Sequence, residues 1–226
     1  MDKIRFEQIE NYMLTCMSDS AHDQEHVYRV LYTALLIAQE ETGVDMDVLV
    51  CACLLHDIGR KEQFEDSSLC HARVGSEKAY RFLREYGYSA DFAGKVQHCI
   101  AAHRFRANCP PESIEAKILF DADKLDAAGA MGVARTLLYQ GYEGEPLYSL
   151  TEDGCVTDGS GDTEPSFFHE YKFKLEKLYD RFYTKGGREL ALQRLLAAVV
   201  YYHALVQEAR QSHDEGKALL EHKFYG

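Results

Sequence analysis

The sequence predicts an all-α protein, and three observations support this fold class. Apolar residues recur at helical spacing over long segments of the chain. No segment shows the sustained alternation of apolar and polar residues that is typical of a half-buried strand. The 226 residues include only four prolines, so few positions break a helix. We therefore expect a helical bundle in which the apolar faces of the helices form the core.

Nine helices are expected between the breaks in this pattern. They span residues 4–17, 21–41, 46–57, 70–86, 90–104, 112–124, 126–140, 168–183 and 187–212. Gly43, Gly87 and the pair Pro110 and Pro111 mark three of the breaks, because glycine and proline favour turns. Ser20 followed by Asp23 resembles a capping box at the start of the second helix.

The segment 141–166 interrupts the helical pattern and is rich in Gly, Asp, Glu, Ser and Thr. Such a long connection is either a solvated excursion or a lid over a pocket. Beyond it the helical pattern resumes without a new type of core. We therefore expect one domain over residues 1–226, with the helices of 168–212 packed on its core.

The composition excludes several classes of function. Apolar residues make up 46% of the chain, which is enough for a core, and no run of apolar residues is long enough to span a membrane. The first residues lack the apolar stretch of a secretory signal, so we expect a cytoplasmic protein. The formal charge of −12 argues against binding to nucleic-acid polymers or membrane surfaces, but it allows a small anionic ligand in a local basic pocket. A homodimer is compatible with these features. The seven cysteines include no C-x-x-C pair, so we expect them to be reduced and mostly in the core.

The stretch "CACLLHDIGR" places two polar residues at the end of an apolar run. His56 and Asp57 must find partners there, because an unpaired buried polar or charged group costs several kcal/mol. Adjacent side chains lie about 100° apart around a helix, so both reach one partner only near a helix end. Gly59 predicts such an end.

Two further segments supply histidine and aspartate. His22 and His26 lie four residues apart, on one face of a helix. The stretch "AKILFDADKLDAAGAMG" contains Asp121, Asp123 and Asp126, whose carboxylates repel each other unless a cation or hydrogen-bond donors neutralise them. A mixed set of imidazole and carboxylate ligands suits Mn²⁺, Fe²⁺, Zn²⁺, Ni²⁺ or Mg²⁺. Open coordination positions at such an ion favour catalysis over a structural role.

Three segments together, "HDQEHVYRV", "LLHDIGR" and "ILFDADKLDAAGAMGVAR", resemble the HD-domain superfamily of metal-dependent phosphohydrolases. Within it, the chain is most similar to small bacterial HD proteins regarded as hydrolases or nucleotide pyrophosphohydrolases. The similarity extends through "HARVGSEKAY", "CIAAHRFR" and the segment from residue 168, so it covers nearly the whole chain. It implies that the expected helical bundle is a single HD domain.

The resemblance implies a metal site formed by His26, His56, Asp57 and Asp123. Asp123 is preferred over Asp121 because the family's ligand directly precedes the lysine of the D-x-D-K element, here Lys124. Asp121 and Asp126 would then support the ligands or cap helices. Mn²⁺ is the expected ion, with Mg²⁺, Fe²⁺, Ni²⁺, Co²⁺ and Zn²⁺ as alternatives.

The resemblance leaves more than one role for His71 and His103. His56 and Asp57 form the His–Asp dyad of the family. Some HD enzymes use two further histidines to complete a second metal site, which the aspartate of the dyad bridges to the first, and others keep one metal. We favour one metal, with His71 and His103 lining the phosphate site and one of them assisting proton transfer. A binuclear centre and purely structural histidines are the alternatives. His22 is expected to hydrogen-bond within the site or to contact the substrate, and His98 is expected to be structural.

Phosphate binding needs positive charge, which this acidic chain must supply locally. We expect Arg60, just after the dyad, and Lys124, beside a ligand, to hold phosphoryl oxygens. Lys61, Arg104 and Arg106 also lie close to proposed site residues in the sequence and are further candidates.

The expected reaction is hydrolysis of a small phosphorylated substrate by metal-activated water. A nucleotide is the expected substrate class, with cleavage of a triphosphate to monophosphate and pyrophosphate as one form of the reaction. Two alternatives belong to other classes, namely a di-iron HD-type oxygenase and a non-catalytic HD sensor module. The chain retains every position of the H…HD…D set, which counts against the sensor.

Overall fold

The architecture is that of a computed structural model, which describes residues 1–17, 24–104 and 109–225. The predicted all-α class is confirmed. In this part of the chain the regular elements are helices, and extended segments pair only in one isolated antiparallel bridge between Leu150 and Val156. The predicted capping box at Ser20 and Asp23 lies outside the described residues.

Eleven α-helices occur within the described ranges. They are α1 (Lys3–Cys16), α2 (Gln24–Ala38), α3 (Met46–Leu55), α4 (Arg60–Glu65), α5 (His71–Glu85), α6 (Ala90–Ala102), α7 (Ile114–Leu125), α8 (Gly129–Glu143), α9 (Phe167–Glu170), α10 (Lys185–Arg210) and α11 (Gly216–Tyr225). Two of the predicted breaks, Gly43 and Gly87, adopt φ angles of 74° and 83°, which favour glycine.

The sequence pattern missed two helices and misjudged a third. The short helix α4 directly follows the dyad, and α11 follows a π-helical turn at Gln211–Glu215. The helix expected over 168–183 was wrong in its length, because α9 passes into a π-helical turn at Tyr171–Leu175 and a 3₁₀ turn at Leu178–Asp180. Neither change of helix type alters the apolar periodicity enough to be read from sequence.

The chain divides into two compact units. The first contains Met1–Asp126 and Phe182–Arg188. Its central helix is α3, whose residues Val48, Leu49 and 51–55 are buried and which packs on α1, α2, α5, α6 and α7. A helix that is apolar on every side is typical of a core position, and each buried leucine contributes about 1.5–3 kcal/mol. All seven cysteines are free, as predicted, but only Cys51, Cys53 and Cys99 are buried, so the expectation that most of them lie in the core was wrong.

Asp121 fastens the segment Phe182–Arg188 to α7. Its fully buried carboxylate accepts hydrogen bonds from the backbone amides of Tyr183 and Thr184 and from the Thr184 hydroxyl, at 2.6–3.0 Å. The Thr184 hydroxyl oxygen in turn accepts from the amide of Gly187 in the first turn of α10. Asp121 therefore holds Thr184, and the Thr184 hydroxyl in turn caps α10.

The second unit contains Ala127–Arg181 and Glu189–Gly226 and has its own apolar cluster. Phe167, Phe168 and Tyr171 pack in this cluster against α10, and the Tyr171 and Tyr202 rings stack with centroids 3.8 Å apart. The segment predicted as an excursion or lid contributes Val156, whose amide donates to Asp214 at 3.0 Å. These contacts anchor the segment within its own unit. The single-domain organisation remains a prediction.

None of the helices in the described ranges is both long enough and apolar enough to cross a lipid bilayer.

Candidate metal centre

Six side chains from five helices meet at one place in the first unit. Five of them are buried, with exposed fractions of 5% or less, and the sixth, Asp123, is partly buried. The cluster consists of His26, His56, Asp57, His71, His103 and Asp123. Each lies at or near a helix end. His26 is in the first turn of α2, His71 begins α5, and His56 and His103 cap the carboxyl ends of α3 and α6.

The first group of ligating atoms surrounds Oδ2 of Asp57. The Nε2 atoms of His26 and His56 each lie 3.5 Å from this oxygen and 3.4 Å from each other. Oδ1 of Asp123 lies 3.2 Å from His26 Nε2 and 4.0 Å from His56 Nε2. The four residues predicted as metal ligands are therefore brought together.

The second group surrounds the other oxygen of the same carboxylate. Oδ1 of Asp57 lies 3.5 Å from Nε2 of His71 and 3.8 Å from Nε2 of His103. This oxygen is buried and has no hydrogen-bond partner among the described residues. Asp57 therefore presents one carboxylate oxygen to each group, which is the arrangement that the binuclear alternative requires.

All four histidines have an acceptor at Nδ1. His56 and His103 lie 2.7 and 2.6 Å from the carbonyl oxygens of Cys53 and Ile100. His26 Nδ1 lies 2.7 Å from a carboxylate oxygen of Asp126. The fourth pair joins His71 Nδ1 to Oε1 of Gln63, at 2.5 Å. In the neutral form of each imidazole, these acceptors hold the proton on Nδ1, so that Nε2 can offer its lone pair to the cluster.

The donor chemistry of the cluster fits a divalent cation. Imidazole lone pairs and carboxylate oxygens that converge in a buried space repel each other, and Oδ1 of Asp57 is a buried acceptor without a hydrogen-bond donor among the described residues. A cation that accepts these lone pairs removes both costs. Nitrogen and oxygen donors in this proportion suit Mn²⁺, Fe²⁺ or Zn²⁺.

Burial and neighbouring charges separate the pKa values of the histidines. Burial opposes a charge on His26, but hydrogen bonds to Asp123, Asp126 and Asp57 outweigh it and raise its pKa to about 11. Burial lowers the pKa of His56 to about 4 and the pKa of His71 to about 3. Burial alone would raise the pKa of Asp57, but the surrounding imidazoles and Arg60 hold it well below its usual value.

Acidification is expected to destabilise the metal-free protein. The fold lowers the pKa of His56 to about 4 and of His71 to about 3, whereas an unfolded histidine has a pKa of about 6.5. Below about pH 6.5 the unfolded state therefore binds more protons than the native state, and the free energy of unfolding decreases as the pH falls. Urea unfolding with a chelator at about pH 6.5 and about pH 4.5 measures the effect. His71→Gln should make the pH dependence shallower, and an equal dependence in this variant and the wild type would contradict the pKa assignment.

Gly59 brings His71 to the dyad by allowing a close backbone approach. A Cβ atom at Gly59 would overlap the carbonyl oxygen of His71 and lie 2.5 Å from the amide nitrogen of Gly75. The φ angle of Gly59 is −97°, which other residues can also adopt, so its backbone conformation does not require glycine. The predicted helix end is present. Glycine is needed at this position because a side chain would not fit, and the sequence pattern does not reveal that.

The predicted phosphate-binding residues have different surroundings. Arg60 Nε donates to Oδ2 of Asp57 at 2.8 Å, and its side chain is 42% exposed. The Lys124 ammonium lies 5.1 and 5.4 Å from the ring centroids of Phe120 and Phe182. Arg104 follows His103 and has a buried guanidinium nitrogen without a partner in the described part of the chain. His22 and Arg106 lie outside the described residues.

The structure shows two side chains that support histidines of the cluster, Asp126 and Gln63. Asp126 accepts from His26 and also from Arg29, whose Nε and second guanidinium nitrogen lie 2.8 and 3.1 Å from its oxygens. Gln63, on α4, faces His71. The sequence analysis expected Asp126 to support the ligands or to cap a helix, without naming its partners. Gln63 has no sequence signal, because it lies in a charged stretch typical of a surface helix.

Comparisons with known proteins agree with this geometry. The family model of the HD domain matches residues 24–128, which include every residue of the cluster. The chain is 32% identical over 194 residues to the uncharacterized protein YpgQ of Bacillus subtilis, an alignment that covers 83% of this chain and 85% of YpgQ. The similarity therefore continues well beyond the part matched by the family model.

Solved structures extend the comparison. A crystal structure of Bacillus subtilis YpgQ in complex with ADP is similar with a TM-score of 0.68 at 29% identity, covering 90% of this chain and 97% of that chain. An HD-superfamily hydrolase from Bacillus thuringiensis is similar with a TM-score of 0.70 at 29% identity, covering 91% of this chain and 97% of that chain. Both likenesses cover nearly the whole of each chain.

Proposed function

Because the chain belongs to the HD-domain family, we propose that it is a metal-dependent phosphohydrolase acting on a small phosphorylated substrate. The observation that carries the proposal is the convergence of four imidazole nitrogens and two aspartates on one buried space. HD-superfamily hydrolases are among its structural relatives, which supports hydrolysis as the reaction class. A retained ligand set also argues against the sensor alternative.

The proposed centre holds two divalent cations. His26, His56, Asp57 and Asp123 would hold the first, as expected from sequence. Asp57, His71 and His103 would hold the second, in place of the single-metal arrangement that the sequence favoured. When bound, such a pair activates water and neutralises charge on attacking and leaving oxygens of a phosphoryl group. Mn²⁺ is the proposed ion, as in the sequence analysis, and the same donors also suit Fe²⁺ and Zn²⁺.

The chain's own cations would bind and orient the phosphates. Arg60 keeps guanidinium nitrogens beyond its contact with Asp57, and its exposed part can donate to a phosphoryl oxygen. The buried, unpartnered nitrogen of Arg104 would be satisfied by the same kind of acceptor. Lys124 would also bind a phosphoryl oxygen, and its ammonium lies over two aromatic rings in this structure. His71 and His103 would act as ligands and would not carry the proton transfer.

A nucleotide is the proposed substrate class. The ADP complex of YpgQ supports it, because a relative of similar fold accommodates an adenine nucleotide. Cleavage of a triphosphate to monophosphate and pyrophosphate is the form of the reaction that we propose. A cytoplasmic location and a homodimer are proposed on the grounds given by the sequence.

A substrate screen tests the proposed function. Purified protein is incubated with nucleoside mono-, di- and triphosphates and simple phosphate esters in the presence of Mn²⁺, Mg²⁺, Co²⁺ or Ni²⁺, and the products are identified as phosphate or pyrophosphate. We expect metal-dependent release of pyrophosphate from a triphosphate. Inactivity with every substrate and metal would contradict the proposal. Two bound irons in anaerobically purified protein would then favour the oxygenase.

A further inference from the structure

We infer that Gln63 is a positioning residue that fixes the tautomer of His71 and thereby sets the affinity of the second cation position. The inference rests on the proposed function, because it concerns ligands of the proposed centre. It is carried by the contact of 2.5 Å between Oε1 of Gln63 and Nδ1 of His71. An amide oxygen accepts only, so the shared proton belongs to His71 Nδ1 and its Nε2 lone pair faces Asp57.

Gln63 differs in kind from the other acceptors in the described cluster. His56 and His103 use backbone carbonyls three residues earlier in the chain, which no side-chain substitution removes. His26 uses a carboxylate that Arg29 also holds. The orientation of His71 depends on a neutral side chain that is half-buried on another helix. The second group is therefore the one that a single conservative change can loosen.

The face of α4 that carries Gln63 also carries Arg60. The two residues are three positions apart, so they lie side by side on the helix. Arg60 contacts Oδ2 of Asp57 while Gln63 contacts His71. Lys78 of α5 holds α4 independently, because its ammonium donates to Glu62 and to the carbonyl of Ile58, each at 2.7 Å. Loss of the Gln63 amide should therefore leave α4 in place.

Mn²⁺ binding to Gln63→Leu tests the inference. Without the acceptor, the His71 ring can rotate or carry its proton on Nε2, where it no longer offers a lone pair. We expect one Mn²⁺ to bind as in the wild type and the second to bind about 10–100-fold more weakly, the usual loss when a supporting hydrogen bond is removed. Gln63→Glu retains an acceptor oxygen and should restore the second site. Gln97→Leu, at a half-buried glutamine on α6, is the matched control.

The outcomes separate the inference from the proposed function. Two Mn²⁺ ions of unchanged affinity in Gln63→Leu would overturn the role of Gln63 and leave the centre intact. A wild-type protein that binds fewer than two ions would overturn the binuclear centre itself. If Gln63→Leu fails to fold, the ¹⁵N chemical shifts of histidine in the metal-free wild type decide the matter. A proton on Nδ1 of His71 is expected, and a proton on Nε2 would overturn the inference.

Discussion

Asp57→Ala is expected to abolish both metal binding and hydrolysis. One carboxylate faces both groups of ligands, with Oδ2 toward His26 and His56 and Oδ1 toward His71 and His103. Removing this carboxylate takes an anionic ligand from both cation positions at once. The imidazole nitrogens would remain close to one another without it. We expect Mn²⁺ binding to fall below detection and turnover to fall by at least about 1,000-fold.

Metal analysis and steady-state kinetics on the same preparation check this result. Asp91→Ala is the matched control, because Asp91 is an exposed aspartate on α6 that forms an ion pair with Lys95, at 2.8 Å. The control should retain both metal and activity. An Asp57→Ala protein that is free of metal and turns over at the wild-type rate would refute the assignment of this cluster as the catalytic centre.

Gly59→Ala is expected to cost about 1–3 kcal/mol or more of unfolding free energy, the range seen when an extra group is forced into a packed interior. The added Cβ would meet backbone atoms of His71 and Gly75, which cannot rotate away as a side chain can. The contact between the dyad and α5 must open, so His71 should also withdraw from Asp57. Urea unfolding measures the first effect, and the affinity for the second Mn²⁺ measures the other.

Gly94→Ala provides a control of opposite sign for Gly59→Ala. Gly94 lies within α6, and a Cβ there would have no neighbour within 4 Å. Replacing a helical glycine in open space stabilises a helix by about 0.5–1 kcal/mol. Equal changes in the free energy of unfolding for Gly59→Ala and Gly94→Ala would contradict the steric role assigned to Gly59.

Much of the fold was accessible from sequence because local patterns determine it. The apolar runs of α3 and α7 predicted buried helices, and the turns at Gly43 and Gly87 were confirmed by their positive φ angles. The short helix α4 was missed because its five charged or polar residues and single phenylalanine offer no helical periodicity. Tertiary contacts, such as those of Lys78, hold it instead.

The candidate site likewise combines residues that the sequence could identify with contacts that only the packing of the helices determines. The pair of His56 and Asp57 could be singled out from residue type and spacing, and Asp123 from the resemblance to the HD-domain family; the structure brings them together with His26. The pairing of Gln63 with His71 and the approach of Gly59 to Gly75 depend on how α4 and α5 pack. No spacing rule encodes such contacts, so they could not be predicted.

The position of bound Mn²⁺ decides whether this cluster is a metal centre. Anomalous scattering from crystals grown with Mn²⁺ would locate every bound ion without any assumption about substrate. We expect two ions that share Asp57, one among His26, His56 and Asp123 and the other between His71 and His103. The absence of an ion at this cluster at saturating Mn²⁺ would contradict this expectation.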